Sequence, residues 1–162
     1  MQKFLSLVAT FFGIGKSPKA PGTVATVATI PIWWLLSQLG IFTYMGVTVL
    51  LAWLGIFAAQ AYENQSKEKD SSAIVIDEVV GFLITMAWLP MTWQSVLAGF
   101  VLFRVLDIYK PFPIRQLDKK IPGGFGVMVD DIAAGIIGSI ILQFIYTQTN
   151  WLGAQISHLT AS

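Results

Sequence analysis

The chain has 162 residues, is 55% apolar with six tryptophans, and carries a net charge of +1 at a mean hydropathy of +0.69. This is the length of one domain, 1–162, with no room for a separate catalytic module, and its hydropathy excludes an ordinary soluble domain in favour of an integral membrane protein. With no cysteine and a single histidine, His158 in a polar tail, disulfides, thiolate chemistry and poly-histidine metal centres are excluded, so any metal has to be held by oxygen ligands, which favours magnesium, manganese or calcium.

The first seventeen residues have a short apolar run without a small-residue cleavage site, which predicts an amphipathic interfacial segment rather than a signal peptide. Lys3 is expected near the headgroups, with Phe4, Leu5, Leu7, Val8, Phe11 and Phe12 at the acyl boundary. Gly13 to Thr23, GIGKSPKAPGT, is expected to be a loop with a turn at Pro21-Gly22. It serves either as a polar membrane-entry loop or as a phosphate cradle in which backbone amides, Lys16 and Lys19 meet an anion.

Two apolar runs follow, from Val24 to about Leu39 and from Ile41 to Tyr62, each near the ~17 to 25 residues of a spanning helix, with Gly40 between them. They predict a helical hairpin, in which Thr23, Thr26 and Thr29 lie at a spacing typical of helix packing. Glu63 to Ser72 is a polar connector with balanced charge. A helix starting near Ser72 then carries the adjacent acids Asp77 and Glu78 deeper than a capping turn, so a functional role is expected for both.

Val79 to Leu89 and Trp93 to Phe103 are apolar pieces split by Pro90, which is read as a turn between two short helices. On that reading all ten basic residues fall on one face, and the Gly40 turn, the Pro90 turn and the tail after Asn150 carry none. The positive-inside rule makes that face cytoplasmic. Short helices of this kind are tilted, thin the bilayer or are re-entrant. Ile132 to about Thr149 is the final transmembrane helix, with Gly135 and Gly138 as packing contacts and Trp151 as an interfacial anchor. The fold class is therefore all-α: an integral membrane helical bundle of two helical hairpins, one of them short, a final transmembrane helix and an amphipathic N-terminal segment.

Charge is concentrated between Arg104 and Asp131, which hold four of the nine acids and five of the ten bases. Ionisable groups beside apolar spans are costly unless they pair, bind a metal or meet a charged ligand. Arg104, Asp107 and Lys110 recur every three residues and share a helix face, and Arg115 and Asp118 extend the polar set past Pro111 and Pro113. Pro122 to Gly126 is expected to be a flexible loop with exposed backbone, and Asp130 and Asp131 to open the last helix, pointing ~100° apart.

The five carboxylates Asp77, Glu78, Asp107, Asp130 and Asp131 thus gather on one membrane face, where close like charges call for a divalent cation, Mg2+ above all. The surrounding cations call for phosphate. Asp107, Asp131, Lys110 and Arg104 are the candidate catalytic residues. Lys16, Thr23, Arg115 and Gly124 are the candidate phosphate-binding residues. Two function classes fit these parts: phosphoryl transfer on a phospholipid headgroup, and an ion-coupled transporter with intramembrane carboxylates. Acids at helix ends favour the enzyme, and no nucleic acid is expected as a partner.

PKAPGT (18–23), DEVVG (77–81), FRVLDIYKPFPIRQLD (103–118) and GGFGVMVDDIAAG (123–135) resemble, in order, the signature blocks of the phosphatidylglycerophosphatase A family. The resemblance implies an all-helical membrane enzyme that hydrolyses phosphatidylglycerophosphate to phosphatidylglycerol and phosphate. It further implies magnesium dependence and, as the site of action, the bacterial inner membrane.

Overall fold

A computed structural model gives the fold and describes residues 2–69, 71–112, 114–116 and 121–153. Among these residues every regular element is helical: α1 (Gln2–Ala9), α2 (Pro21–Ser37), α3 (Ile41–Ser66), α4 (Ile76–Thr85), α5 (Trp93–Tyr109) and α6 (Gly123–Gln148), with a 3-10 turn at Ile14–Lys16. Asp118 and His158 lie outside the described residues.

The centre is α4, IDEVVGFLIT. After its first turn it is apolar on every side, and a helix of that kind has no face to give to water. Seven of its ten residues are buried, and α2, α3, α5 and α6 all pack against it. Carbonyls at its end and in the two residues beyond it have no intrahelical donor, and each neighbour but α5 supplies one. Tyr44 Oη of α3 donates to Leu83 O at 2.5 Å, Trp33 Nε1 of α2 to Met86 O at 3.3 Å, and Gln143 Nε2 of α6 to Ala87 O at 2.8 Å.

The α4–α6 crossing is built on glycine. A Cβ on Gly135 would lie 2.5 Å from Gly81 O, and one on Gly81 would lie 2.8 Å from Asp131 O. Backbones this close need small residues at the contact. The carbonyl of Asp131 is thereby held against the second turn of α4.

Several boundaries differ from the sequence reading. Helix α2 begins at Pro21, a residue suited to a first helical position, so Pro21-Gly22-Thr23 is helix and not loop. Helix α3 runs to Ser66 and absorbs the start of the expected polar connector. Helix α4 begins at Ile76, so Asp77 and Glu78 stand in its first turn rather than beyond it. Helix α6 begins at Gly123: the expected glycine loop is its first turn, and Asp130 and Asp131 lie two turns inside, too deep to cap it. Phe11 packs in the core instead of facing lipid, whereas Phe4, Leu7 and Phe12 are exposed.

Helices α3 and α6 are each 26 residues long and apolar enough to cross a membrane by length and composition. Replacing Gly135 by Ala is expected to push α6 off α4 and to lower stability by about 1–3 kcal/mol. Gly46→Ala, where a Cβ meets nothing within 4 Å, is expected to do no harm. Thermal unfolding of the two variants in detergent checks the contrast.

Candidate active site

Three helices meet at one end of the bundle. The first turn of α4 brings Asp77 and Glu78, the end of α5 brings Arg104, Asp107 and Lys110, and the second and third turns of α6 bring Asp130 and Asp131. Glu78 Oε1 lies 3.7 Å from Arg104 Nη1 although the two are 26 positions apart, because α4 and α5 run antiparallel across the turn at 86–92.

One ligand oxygen each from Asp77, Glu78 and Asp131 lies within 4.8 Å of the other two. Arg104 Nη1 also donates to Asp107 Oδ2 at 2.6 Å, one helical turn along α5. Asp107 in turn stands beside Asp131. Lys110 Nζ pairs with Asp130 Oδ2. The adjacent aspartates of α6 therefore divide, as their angular separation requires: Asp131 joins the acidic cluster and Asp130 holds a lysine.

The carboxylates are sequestered from water. Asp131 is buried, and the side chains of Glu78, Asp107 and Arg104 keep about 15% of their exposure or less. Burial pushes the Asp77 carboxyl well above the usual carboxylate range, and the neighbouring charges of Glu78 and Asp131 push the same way. Burial also raises Glu78, against which a hydrogen bond with Asp77 and the Arg104 guanidinium act.

Asp77 Oδ1, Glu78 Oε2 and Asp131 Oδ2 are buried without a hydrogen-bond partner, and Arg104 Nε is in the same state. Unmade bonds on buried carboxylates are expensive. The same three acidic residues each bring one oxygen within 4.8 Å of the others, and a carboxylate set with no nitrogen or sulfur ligand suits a hard divalent cation. The residues present therefore fit magnesium.

Gly22 marks the third side of the site. A Cβ there would lie 1.9 Å from Glu78 Oε1 and 3.1 Å from Arg104 Nη1, so any side chain at this position would have to displace the Glu78 carboxylate. Sequence reasoning treated Gly22 as a turn residue. Its signal was the Pro-Gly pair at a helix start, which close approach explains better than chain reversal. Thr23 is the next residue of α2 and is half-buried. The Lys110–Asp130 pair was also missed, since 20 positions separate its members.

The other candidate phosphate residues stand elsewhere. Lys16 lines a cavity of about 440 Å³ between α1 and α3, with Lys3, Ser6, Thr10, Tyr62 and Gln65, and none of the five acids lines it. The Gly124 amide donates to Gln60 Oε1 at 3.0 Å, and a Cβ on Gly124 would meet Ile56 O at 2.2 Å, so this glycine seats α6 on α3. Arg115 is exposed.

Comparison with known proteins decides among chemistries that such a cluster permits. The model of the family described as Phosphatidylglycerophosphatase A matches residues 7–146. The chain belongs to the phosphatidylglycerophosphatase A family. It is an enzyme of the phosphatase class.

It is 44% identical over 140 residues to the phosphatidylglycerophosphatase A of Escherichia coli K12, covering 86% of this chain and 81% of that one. The Haemophilus influenzae phosphatidylglycerophosphatase A is 42% identical over 140 residues, 85% and 86% of the two chains. A Bacteroides thetaiotaomicron protein named provisionally as a phosphatidylinositol-3-phosphatase is 38% identical over 144 residues, 84% and 89%. No solved structure matches the chain. The family match spans every element from α2 to α5 and most of α6, and so includes each acid of the cluster.

Asp131→Asn removes one charged ligand from the cluster and is expected to weaken divalent-cation binding by ~10-fold or more, because affinity follows ligand charge count. Asp130→Asn, which removes the partner of Lys110, is expected to weaken it less. Titration of the purified variants with Mn2+, followed by its electron paramagnetic resonance signal, measures both.

Proposed function

We propose that the chain is a magnesium-dependent lipid phosphatase. It hydrolyses phosphatidylglycerophosphate to phosphatidylglycerol and inorganic phosphate at the cytoplasmic face of a bacterial inner membrane. The observation that carries the reading is the convergence of Asp77, Glu78 and Asp131, with unpartnered buried oxygens, beside Arg104 in a chain of this family.

Asp77, Glu78 and Asp131 would hold the metal. Bound there, magnesium supplies Lewis-acid polarisation of a phosphoryl oxygen and a water of lowered pKa. Arg104 presents a guanidinium whose Nε is unbonded, and so retains a donor for a phosphoryl oxygen while Nη1 is shared by Glu78 and Asp107. That donor bears on charge that grows as the bond from phosphorus to the glycerol oxygen breaks. Asp107, between Arg104 and Asp131, is placed either to orient an attacking water or to attack phosphorus itself. Trapping of an acid-labile phosphoenzyme in a single turnover selects the second route.

Membrane embedding is supported by what the bundle exposes. Phe42, Trp53, Phe57, Ile140 and Phe144 are each at least half exposed on α3 and α6. Only 22% of the most apolar stretch of α3 is buried, unlike a core helix of a soluble protein. Helix α4, at ten residues, is roughly 15 Å long and reaches only half-way through a hydrocarbon core of about 30 Å. The charged end then lies near one interface, the depth of a lipid phosphate.

Phosphate release from phosphatidylglycerophosphate by the purified chain in detergent with Mg2+, abolished by chelator and restored by added Mg2+, is the expected result. Asp131→Asn is expected to lower turnover by about 10²–10³-fold, the scale on which loss of one stabilising charge is felt. Retention of full activity in the variant or in chelator would refute the assignment.

The native chain has no cysteine, so single-cysteine variants report topology cleanly. Ser72→Cys is expected to react with a membrane-impermeant maleimide only from the cytoplasmic side, and Met91→Cys only from the opposite side.

A further inference from the structure

An apolar groove of about 340 Å³ runs between α2 and α5, with Ile30, Val96 and Phe100 as its partly buried floor and Val27, Trp93 and Leu97 as its exposed rim. No lining residue carries a charge or a hydroxyl. The groove leads to the charged cluster. On α5 the steps Trp93, Leu97, Phe100, Arg104 and Asp107 are each three or four residues, so groove and cluster occupy one face of one helix. On α2 the steps Thr23, Val27 and Ile30 do the same. The two helices are antiparallel, and their site ends meet where Gly22 closes on Glu78 and Arg104.

From the proposed phosphatase activity and this continuity we infer that the groove binds one acyl chain of the lipid substrate, and that the headgroup reaches the cluster laterally, between α2 and α5. The stripe from Phe100 to Trp93 is roughly 10 Å long and follows the helix axes, the direction in which a lipid chain hangs from its headgroup. The scissile phosphate is separated from the acyl chains by the headgroup glycerol, the diester phosphate and the lipid glycerol, so a phosphate beside Arg104 places that linker along Phe100 and the chain further down the groove, toward Val96 and Trp93. A chain seated in the groove is a contact that a diacyl lipid phosphate makes and the same headgroup free in solution does not, and it packs by shape rather than by removal from water. Thr23, one turn above Val27, stands at the junction, level with the glycerol of a lipid so placed.

The test compares kcat/KM for phosphatidylglycerophosphate bearing two long chains with kcat/KM for the chainless glycerophosphoglycerol phosphate, using the full chain in mixed micelles. Val27→Trp and Leu97→Trp fill the groove and are expected to lower the ratio of the two values by about tenfold, chiefly through KM for the lipid. Val101→Trp, on an exposed part of α5 outside the groove, is expected to leave the ratio unchanged and controls for bulk at a lipid-facing surface. An unchanged ratio in the groove variants, including the case in which both substrates slow equally, overturns the inference. So does an equal fall in Val101→Trp.

Efficient disulfide cross-linking of Val27→Cys between two copies in the membrane would show a second copy in the groove and also overturns it. Failure of the native chain to release phosphate from either substrate would instead sink the phosphatase reading, whereas release without chain discrimination sinks only the groove.

Discussion

Burial of α4 is the constraint on which the rest of the structure depends. A ten-residue helix that is apolar on every side after its first turn has no face for water, and four other helices pack against it. Covering it leaves its polar ends to be satisfied from outside. At the carboxyl end Tyr44, Trp33 and Gln143 satisfy carbonyls from three different helices, which ties those helices in register with one another. At the amino end two carboxylates are carried into the same enclosed space. The apolar packing that stabilises the bundle thus fixes where its least stable electrostatic feature must sit.

That feature is tolerated through a division of labour among cations. Lys110 neutralises Asp130, and Arg104 lies between Glu78 and Asp107. No cation pairs with Asp77 or Asp131 among the described residues; their neighbours are the carboxyl groups of Glu78 and Asp107, and each keeps one buried oxygen without a partner. A buried carboxylate without a counter-charge is among the most unfavourable groups a fold can hold. Its retention in two helices at once is the physical argument for a metal-binding role. The Gly81–Gly135 crossing sharpens it: Asp131 O lies against α4, which holds the Asp131 backbone beside the helix that carries Asp77.

Much of this was legible in the sequence, and the illegible part has a common cause. The composition, the apolar runs of α2, α3, α5 and α6, and the concentration of charge between Arg104 and Asp131 are local properties, and they gave the helical class and most of the cluster. Helix starts were misjudged at Pro21, Ile76 and Gly123. At Pro21 and Gly123 the reason was glycine, read as loop because its intrinsic helix propensity is poor. Gly22 and Gly124 are helical because another chain segment lies where a side chain would be, and propensity contains no term for that contact.

Pairings such as Lys110–Asp130 and Glu78–Arg104 cross between helices, so no spacing rule could find them. Lys16 was assigned from its place in the glycine-rich segment 13–23, and the fold sends it to the cavity beside α1.

The charged cluster and the apolar groove beside it have opposite chemistry, and that polarity suits the proposed substrate. A soluble phosphatase can surround its substrate, whereas an enzyme acting on a headgroup must leave a path for chains that stay in the bilayer. Here α4, α5 and α6 carry the cluster, and α2 approaches it through Gly22 with no side chain of its own. A bulkier residue at 22 would displace the Glu78 carboxylate and crowd Arg104, altering the cluster where the apolar groove reaches it. On the proposed reading, one glycine therefore couples headgroup recognition to chain access. Substitution there would be felt in binding and turnover together, unlike substitution within the groove alone.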